Sequence, residues 1–301
     1  MPKALFTFGL IYLLANSSVA QIQVSRNFEA HPLSQPMTEE RRVLGNTFFG
    51  AEMGLGFFSA EEEQTWNVKF HGFIEFYRWG NRASIGLSLA HELHANPFNE
   101  INFNPRGAIW NESLVYYRKV ESATLQFGLN HRCRHNIDNA DPPSPNISRL
   151  DYIPQSRVLV LTGISAGFLA DPIELHPSWQ FTFFARADAY IYTEDARRPR
   201  TNQEGSWEDI RGSAFTGISI IHPISDLWQV YSRNHFNYVI FEQDNNQVNY
   251  RAELGISLTG EKARTSLFLA FERFFDDTSR PFPLPSSVLS IGIRGLSLDF
   301  Y

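Results

Sequence analysis

Twelve stretches of this chain alternate apolar and polar residues with a period of two, and no other feature restricts the fold as strongly. They lie near 46–58, 66–79, 82–93, 108–119, 122–134, 156–169, 178–192, 208–221, 227–241, 247–259, 262–275 and 287–301. In 247–259, Val248, Tyr250, Ala252, Leu254, Ile256 and Leu258 share one face, with Asn249, Arg251, Glu253, Gly255 and Ser257 on the other. Ile85, Leu87 and Leu89 stand against Ser84, Gly86 and Ser88 in the same way. Such a pattern requires strands with one greasy and one wet side.

A water-soluble sandwich would alternate too, but three features point elsewhere. The stretches mostly run 12 to 15 residues, longer than the usual five or six of a globular strand and long enough for the ~9–11 that a tilted strand needs in lipid. The connections also fall into two classes. With the first strand starting in the periplasm, the periplasmic connections are 80–81, 120–121, 170–177, 222–226 and 260–261, all but one of them tight. The extracellular ones, 59–65, 94–107, 135–155, 193–207, 242–246 and 276–286, are mostly long and rich in Pro, Asn, Asp or Glu. Finally, the six tryptophans fall at strand ends: Trp66, Trp110 and Trp207 at the outer side, Trp79, Trp179 and Trp228 at the periplasmic side. Short turns, long loops and two aromatic girdles are the marks of a membrane barrel. We therefore expect residues 46–301 to form an all-β, twelve-stranded antiparallel transmembrane β-barrel with short periplasmic turns and long extracellular loops.

The ends of the chain fit export. Lys3, the apolar run Leu5–Leu14 and Ser18-Val19-Ala20 read as a signal peptide over 1–20, cleaved before Gln21. Residues 21–45 are expected to be a periplasmic tail or plug. No other run approaches the ~20 apolar residues of a membrane helix. The chain closes on Leu298-Asp299-Phe300-Tyr301. A terminal aromatic on an amphipathic strand resembles the C-terminal signal of bacterial outer-membrane proteins, and the resemblance implies that their assembly machinery reads Phe300 and Tyr301. The expected location is the bacterial outer membrane, with its lipid and lipopolysaccharide as surroundings. A net charge of -6, with 26 basic and 32 acidic residues spread throughout, gives no basic stripe and excludes nucleic acid as a partner. The single cysteine, Cys133, excludes an intrachain disulfide.

In a barrel the polar face points inward. That face carries Lys69, His71, Glu75, Arg186, Asp188, Arg233, Arg251, Glu253, Arg264, Glu272 and Arg294. Lysine or arginine facing lipid at mid-bilayer would cost ~2–4 kcal/mol, which supports this phase. Such charges either line a narrow selective pore for a small solute or pair across the lumen and close it.

One cluster has the residue types of a reactive site. His131-Arg132-Cys133-Arg134-His135 ends the fifth strand, with Asp138 beyond it. Residues two apart share a face, so His131, Cys133 and His135 line up, outward by strict alternation. The arrangement resembles the His-x-Ser of the outer-membrane phospholipase A family, twelve-stranded barrels with their site on the outer face near the extracellular rim. The resemblance implies His131 as general base and Cys133 as nucleophile, with Gln155 or Ser156 as the candidate to orient His131. This chain departs from the family in having Cys for Ser and Arg134 where Asn normally follows. The spacing is more loosely similar to His-x-Ser-x-His patterns in uncharacterised outer-membrane barrels, which imply no known activity. The same residues can also be read as a soft metal pair joined by Asp138, short of the four ligands of a closed site. Read as plain rim residues, Arg132 and Arg134 would contact lipopolysaccharide phosphates. No cofactor is expected. The leading expectation is a small-solute channel or transport component, ahead of an outer-leaflet lipid acyl hydrolase using His131 and Cys133, and of a surface barrel acting through loops 94–107, 135–155 and 193–207.

Overall fold

The computed structural model describes residues 33, 41–44, 47–59, 66–96, 104–136, 158–176, 178–196, 209–242, 246–261, 263–274 and 286–297. Twelve long strands form the body: β1 Thr47–Ser59, β2 Trp66–Trp79, β3 Ala83–Asn96, β4 Asn104–Val120, β5 Ala123–Asn136, β6 Val158–Ala170, β7 Trp179–Ala196, β8 Ile210–Pro223, β9 Trp228–Phe241, β10 Gln247–Thr259, β11 Ala263–Phe274 and β12 Ser286–Ser297. Each pairs antiparallel with its sequence neighbours, and β12 returns to pair with β1 from Val288↔Ser59 to Leu296↔Gly50. The sheet closes on itself, so every long strand is hydrogen-bonded on both sides, which a lipid environment demands.

The barrel is turned inside out relative to a water-soluble domain. Lys69 is 1 % exposed, whereas Leu129 is 59 % exposed. Met53, Leu55, Phe70, Leu114, Phe127, Ile164, Leu254, Leu267 and Ile291 are all exposed on the outer wall, while Glu52, Glu75, Arg251 and Arg294 are buried within. An antiparallel barrel that is apolar outside and polar inside is the architecture of bacterial outer-membrane proteins, and the outer membrane is where this chain resides.

Short turns from β2 to β3, β4 to β5, β8 to β9 and β10 to β11 close the periplasmic end. Gly80 and Glu121 take positive φ values of 53° and 38° there. The fifth periplasmic connection holds the short strand Ile173–His176, which pairs with the start of β7 and lengthens that hairpin. Elsewhere around the base, Arg42–Val43 pairs with Arg78 and Tyr77 at the end of β2, so this part of the N-terminal segment is tied to the barrel base. The proposed signal peptide, Trp207, Asp138 and the terminal Phe300-Tyr301 lie outside the described residues.

β4 and β7 run furthest beyond the outer ends that their alternation suggests. β4 starts at Asn104 rather than near 108, and β7 continues to Ala196. Trp110 consequently sits inside β4, on its lipid-facing side and beside His91 and Cys133 in register, not at the strand end. The register of β6 on β7 shifts between Thr162 and Gly163. Here a Cβ on residue 163 would run into the carbonyl oxygen of Ala189. Glycine is what lets the two backbones approach at this bulge. Gly163→Val should destabilise the barrel by about 1–3 kcal/mol through overpacking, read as a lower unfolding midpoint in denaturant titrations of the detergent-solubilised protein. A midpoint equal to wild type would show that the bulge tolerates a side chain.

Candidate functional site

Two groups of side chains stand out, one in the lumen and one on the outer wall. In the lumen, inward positions of β1, β2, β3, β9, β10, β11 and β12 converge on one ion-pair network. Arg251 lies 3.0 Å from Glu52, 2.6 Å from Glu253 and 3.0 Å from Glu272. Arg294 lies 2.5 Å from Glu52 and 2.7 Å from Glu253. Lys69 approaches Glu92 at 3.4 Å and Glu272 at 3.9 Å, and Arg233 approaches Glu253 at 3.8 Å. Four cations (Lys69, Arg233, Arg251, Arg294) thus face four carboxylates (Glu52, Glu92, Glu253, Glu272). Aromatic rings support the network: both Arg251 and Arg294 stack over Phe268, at 5.2 and 4.9 Å, and Arg233 over Tyr231 at 4.5 Å. Gly292 leaves the space into which the Phe268 ring fits.

The remaining lumen candidates also lie on the inner face. Arg186 donates to Asp188 at 2.7 Å, and Asn130 and Ser213 also donate to Asp188, at 3.3 and 3.2 Å. Glu75 accepts from Ser84 at 2.5 Å. Arg264 donates to Thr259 at 3.3 Å near the periplasmic end. His71 is buried, 6 % exposed. Glu52 and Glu92, both central, were not singled out by the sequence. Their faces follow from alternation, but the partners that make them matter are far away along the chain.

The second group occupies the lipid-facing wall near the extracellular rim. Outward positions of four adjacent strands form a row in register: Glu112 of β4, His131 of β5, Thr162 of β6 and Tyr192 of β7. His131 Nδ1 is 3.0 Å from Thr162 Oγ1. Glu112 stands directly across from His131 and is 3.9 Å from His91 Nε2. Directly opposed positions of this kind bring Cβ atoms to within ~5.5 Å. One row further out lie Trp110 and Cys133, and the Cys133 sulfur is 3.3 Å from His135 Nε2. His91 packs edge-on to Trp110, ring centroids 4.3 Å apart. His131, Cys133 and His135 therefore share the outer face of β5. The imidazole in contact with the thiol is that of His135, while His131 is held by Thr162.

The intervening arginines are placed differently from the lipopolysaccharide contacts expected of them. Arg132 and Arg134 are 6 and 5 % exposed and point into the lumen, because they alternate with the three outward residues. Gln155 and Ser156 lie outside the described residues. Thr162, the hydrogen-bond partner of His131, escaped the sequence because a long extracellular connection separates β5 from β6 and hides their register. Among the described residues no group of three or more His, Cys, Asp or Glu side chains is placed to hold a metal ion.

No family model matches the chain, and no curated protein matches it. Solved structures resemble it in outline. An outer-membrane channel from Pseudomonas putida F1 aligns over 92% of this chain and 99% of its own, at 10% identity and a TM-score of 0.45. Outer membrane phospholipase A from Escherichia coli aligns over 83% and 92%, at 11% identity and a TM-score of 0.44. The toluene transporter TodX from Pseudomonas putida aligns over 93% and 95%, at 8% identity and a TM-score of 0.42.

Proposed function

We propose that this outer-membrane barrel acts on lipid of the outer leaflet, as an acyl-ester hydrolase whose site is the lipid-facing group around His131. The observation that carries the reading is the His131–Thr162 hydrogen bond of 3.0 Å on the outer wall, two residues along β5 from a thiol on the same face. A nucleophile, a base and a third group that orients the base form the minimal set for acyl transfer. Thr162 occupies one ring nitrogen of His131, which leaves Nε2 for proton transfer. Cys133 supplies the sulfur. The thiolate attacks the ester carbonyl and a carbon–sulfur bond forms. The ester carbon–oxygen bond breaks, and His131 hands the thiol proton to the departing alcohol. Water then cleaves the thioester, releasing the fatty acid and restoring the thiol.

The position suits the substrate. Glu112, His131 and Thr162 lie next to Trp110, at interfacial depth, where a polar side chain on the lipid face costs only ~0–1 kcal/mol. Lipid esters lie at the same depth. The reading is tested with purified barrel in phospholipid–detergent micelles. Wild type should release fatty acid, and Cys133→Ala should not. Equal release by both proteins, or none by wild type, sinks the proposal.

A further inference from the structure

We infer that the groove immediately below the His131 row seats one long acyl chain, so that the site takes long-chain acyl esters in preference to short or headgroup-only substrates. This rests on the hydrolase reading and adds the substrate class to it.

The outer wall is not uniformly convex. A groove of about 570 Å³ opens on its lipid-facing side across β3 to β7. Its upper edge is the next row inward from Glu112, His131 and Thr162, where Leu114, Leu129 and Ile164 are in register. The row below pairs Phe127 with Ala166, and Ala166 with Ala187. The depression exists because alanines at 166 and 187 stand beside the larger Leu129, Ile164 and Phe127. Between them the floor is strand backbone at Gly128, Ser165 and Asp188, and the Ser165 and Asp188 side chains turn to the lumen. Further toward the periplasmic end of β6 and β7, Phe168 and Phe183 meet on the outer wall, ring centroids 5.6 Å apart.

The occupant follows from depth and direction. The groove starts one residue pair beneath the reactive row, a step of ~7 Å along a strand, and runs from the interface toward the bilayer centre. Its side-chain walls are apolar. A lipid ester held at His131 and Cys133 has its alcohol side toward the headgroups and its acyl chain pointing into this groove. The surrounding phase is itself made of such chains, so the ligand reaches the groove without leaving the membrane. Burying each methylene against protein in register with a fixed ester adds positioning, which a short ester cannot supply.

Filling the groove tests this. Full-length Ala187→Phe and, as a milder variant, Ala166→Leu are compared with wild type on p-nitrophenyl palmitate and p-nitrophenyl butyrate in micelles. Heat-modifiability on gels reports whether each variant is folded. The palmitate rate should fall about tenfold or more, a usual size for misfit in an apolar pocket, while the butyrate rate stays within about twofold. Equal losses on both esters, or none on either, in a folded variant overturn the inference and leave the hydrolase reading standing. A second arm needs no turnover. Phosphatidylcholine with a diazirine in its acyl chain should photolabel Leu114, Phe127 or Ile164 in the Cys133→Ala barrel more heavily than Leu254, Leu267 or Ile291 elsewhere on the outer wall, and Ala187→Phe added to it should remove that excess. Labelling spread evenly around the barrel overturns the groove inference even if wild type proves inactive on every ester.

Discussion

Replacing Glu253 by alanine should destabilise the barrel more than any other single lumen substitution, by about 3–5 kcal/mol, the cost of breaking a buried charge pair from one side. Glu253 accepts from Arg251 at 2.6 Å, from Arg294 at 2.7 Å and from the Tyr231 hydroxyl at 2.8 Å, and lies 3.8 Å from Arg233. Its removal strips a counter-charge from three guanidiniums at once. Glu272 meets Arg251 at 3.0 Å and Lys69 at the longer 3.9 Å, so Glu272→Ala should cost less. The measurement is equilibrium unfolding in urea of barrel refolded into detergent or bilayers, followed by the fluorescence of the lipid-facing tryptophans. A loss below about 1 kcal/mol, the size of an exposed pair, would mean that water reaches the network. Replacing Glu253 and Arg294 together by apolar residues of similar volume should restore much of the loss, since the net value of a buried pair is small.

The same network bears on conduction. Every residue in it is buried, Lys69, Glu52 and Arg251 each at 2 % exposure or less. A lumen whose charged side chains meet one another closes the path that the charges would otherwise select. Wild type in planar bilayers should therefore be silent, and the Glu52→Ala, Arg294→Ala double variant should show conductance steps. Steps from wild type would favour the channel function and require the network to part. The expectation of a small-solute channel came from the charges on the inner face, and what the structure adds is how they are paired.

The twelve strands were legible because lipid enforces alternation wherever it touches them. Predicted segments such as 66–79, 247–259 and 227–241 match the observed strands to within a residue. The match fails where lipid stops. Asn104-Pro105-Arg106-Gly107 reads as a loop, yet it pairs with β3, since above the interface both faces of a strand meet water and the pattern lapses while the hydrogen bonds continue. Bulges are silent too. The register of β2 on β3 shifts between Glu75 and Tyr77, so that Arg78 is buried although it lies an odd step from Glu75. Alternation assigns a face but not the stagger between strands, and the stagger chooses partners. Glu52 meets Arg251 and Arg294 across 199 and 242 residues of chain. On the outer wall the same limit applied: His131 and Cys133 were visible as neighbours on one strand, whereas Glu112 and Thr162 became their neighbours only through the register of β4 and β6.

Within the proposed site, the largest kinetic effects should separate the roles of four residues. Cys133→Ala and His131→Ala should each lower kcat/KM for lipid ester by about a thousandfold or more, because nucleophile and base act as a unit and losing either forfeits nearly all of their joint contribution. Thr162 touches no reacting atom; it positions His131 through one hydrogen bond of 3.0 Å. Thr162→Val keeps the shape and removes the hydroxyl, so its cost should be about ten- to a hundredfold, carried in kcat rather than KM. Thr162→Ser should restore the rate, which a merely structural role for the β-branched side chain would not allow. His135 is the decisive comparison, since its Nε2 lies 3.3 Å from the Cys133 sulfur in the resting structure. If His131 is the base, His135→Ala should keep activity within about tenfold of wild type, because the thiol can still turn to the imidazole two residues back on the same face. If instead His135→Ala is as damaging as Cys133→Ala and His131→Ala is mild, the base is His135, and the Thr162–His131 pair loses the role assigned to it. The four variants and the serine rescue, assayed on one lipid ester in one micelle composition, distinguish these outcomes directly.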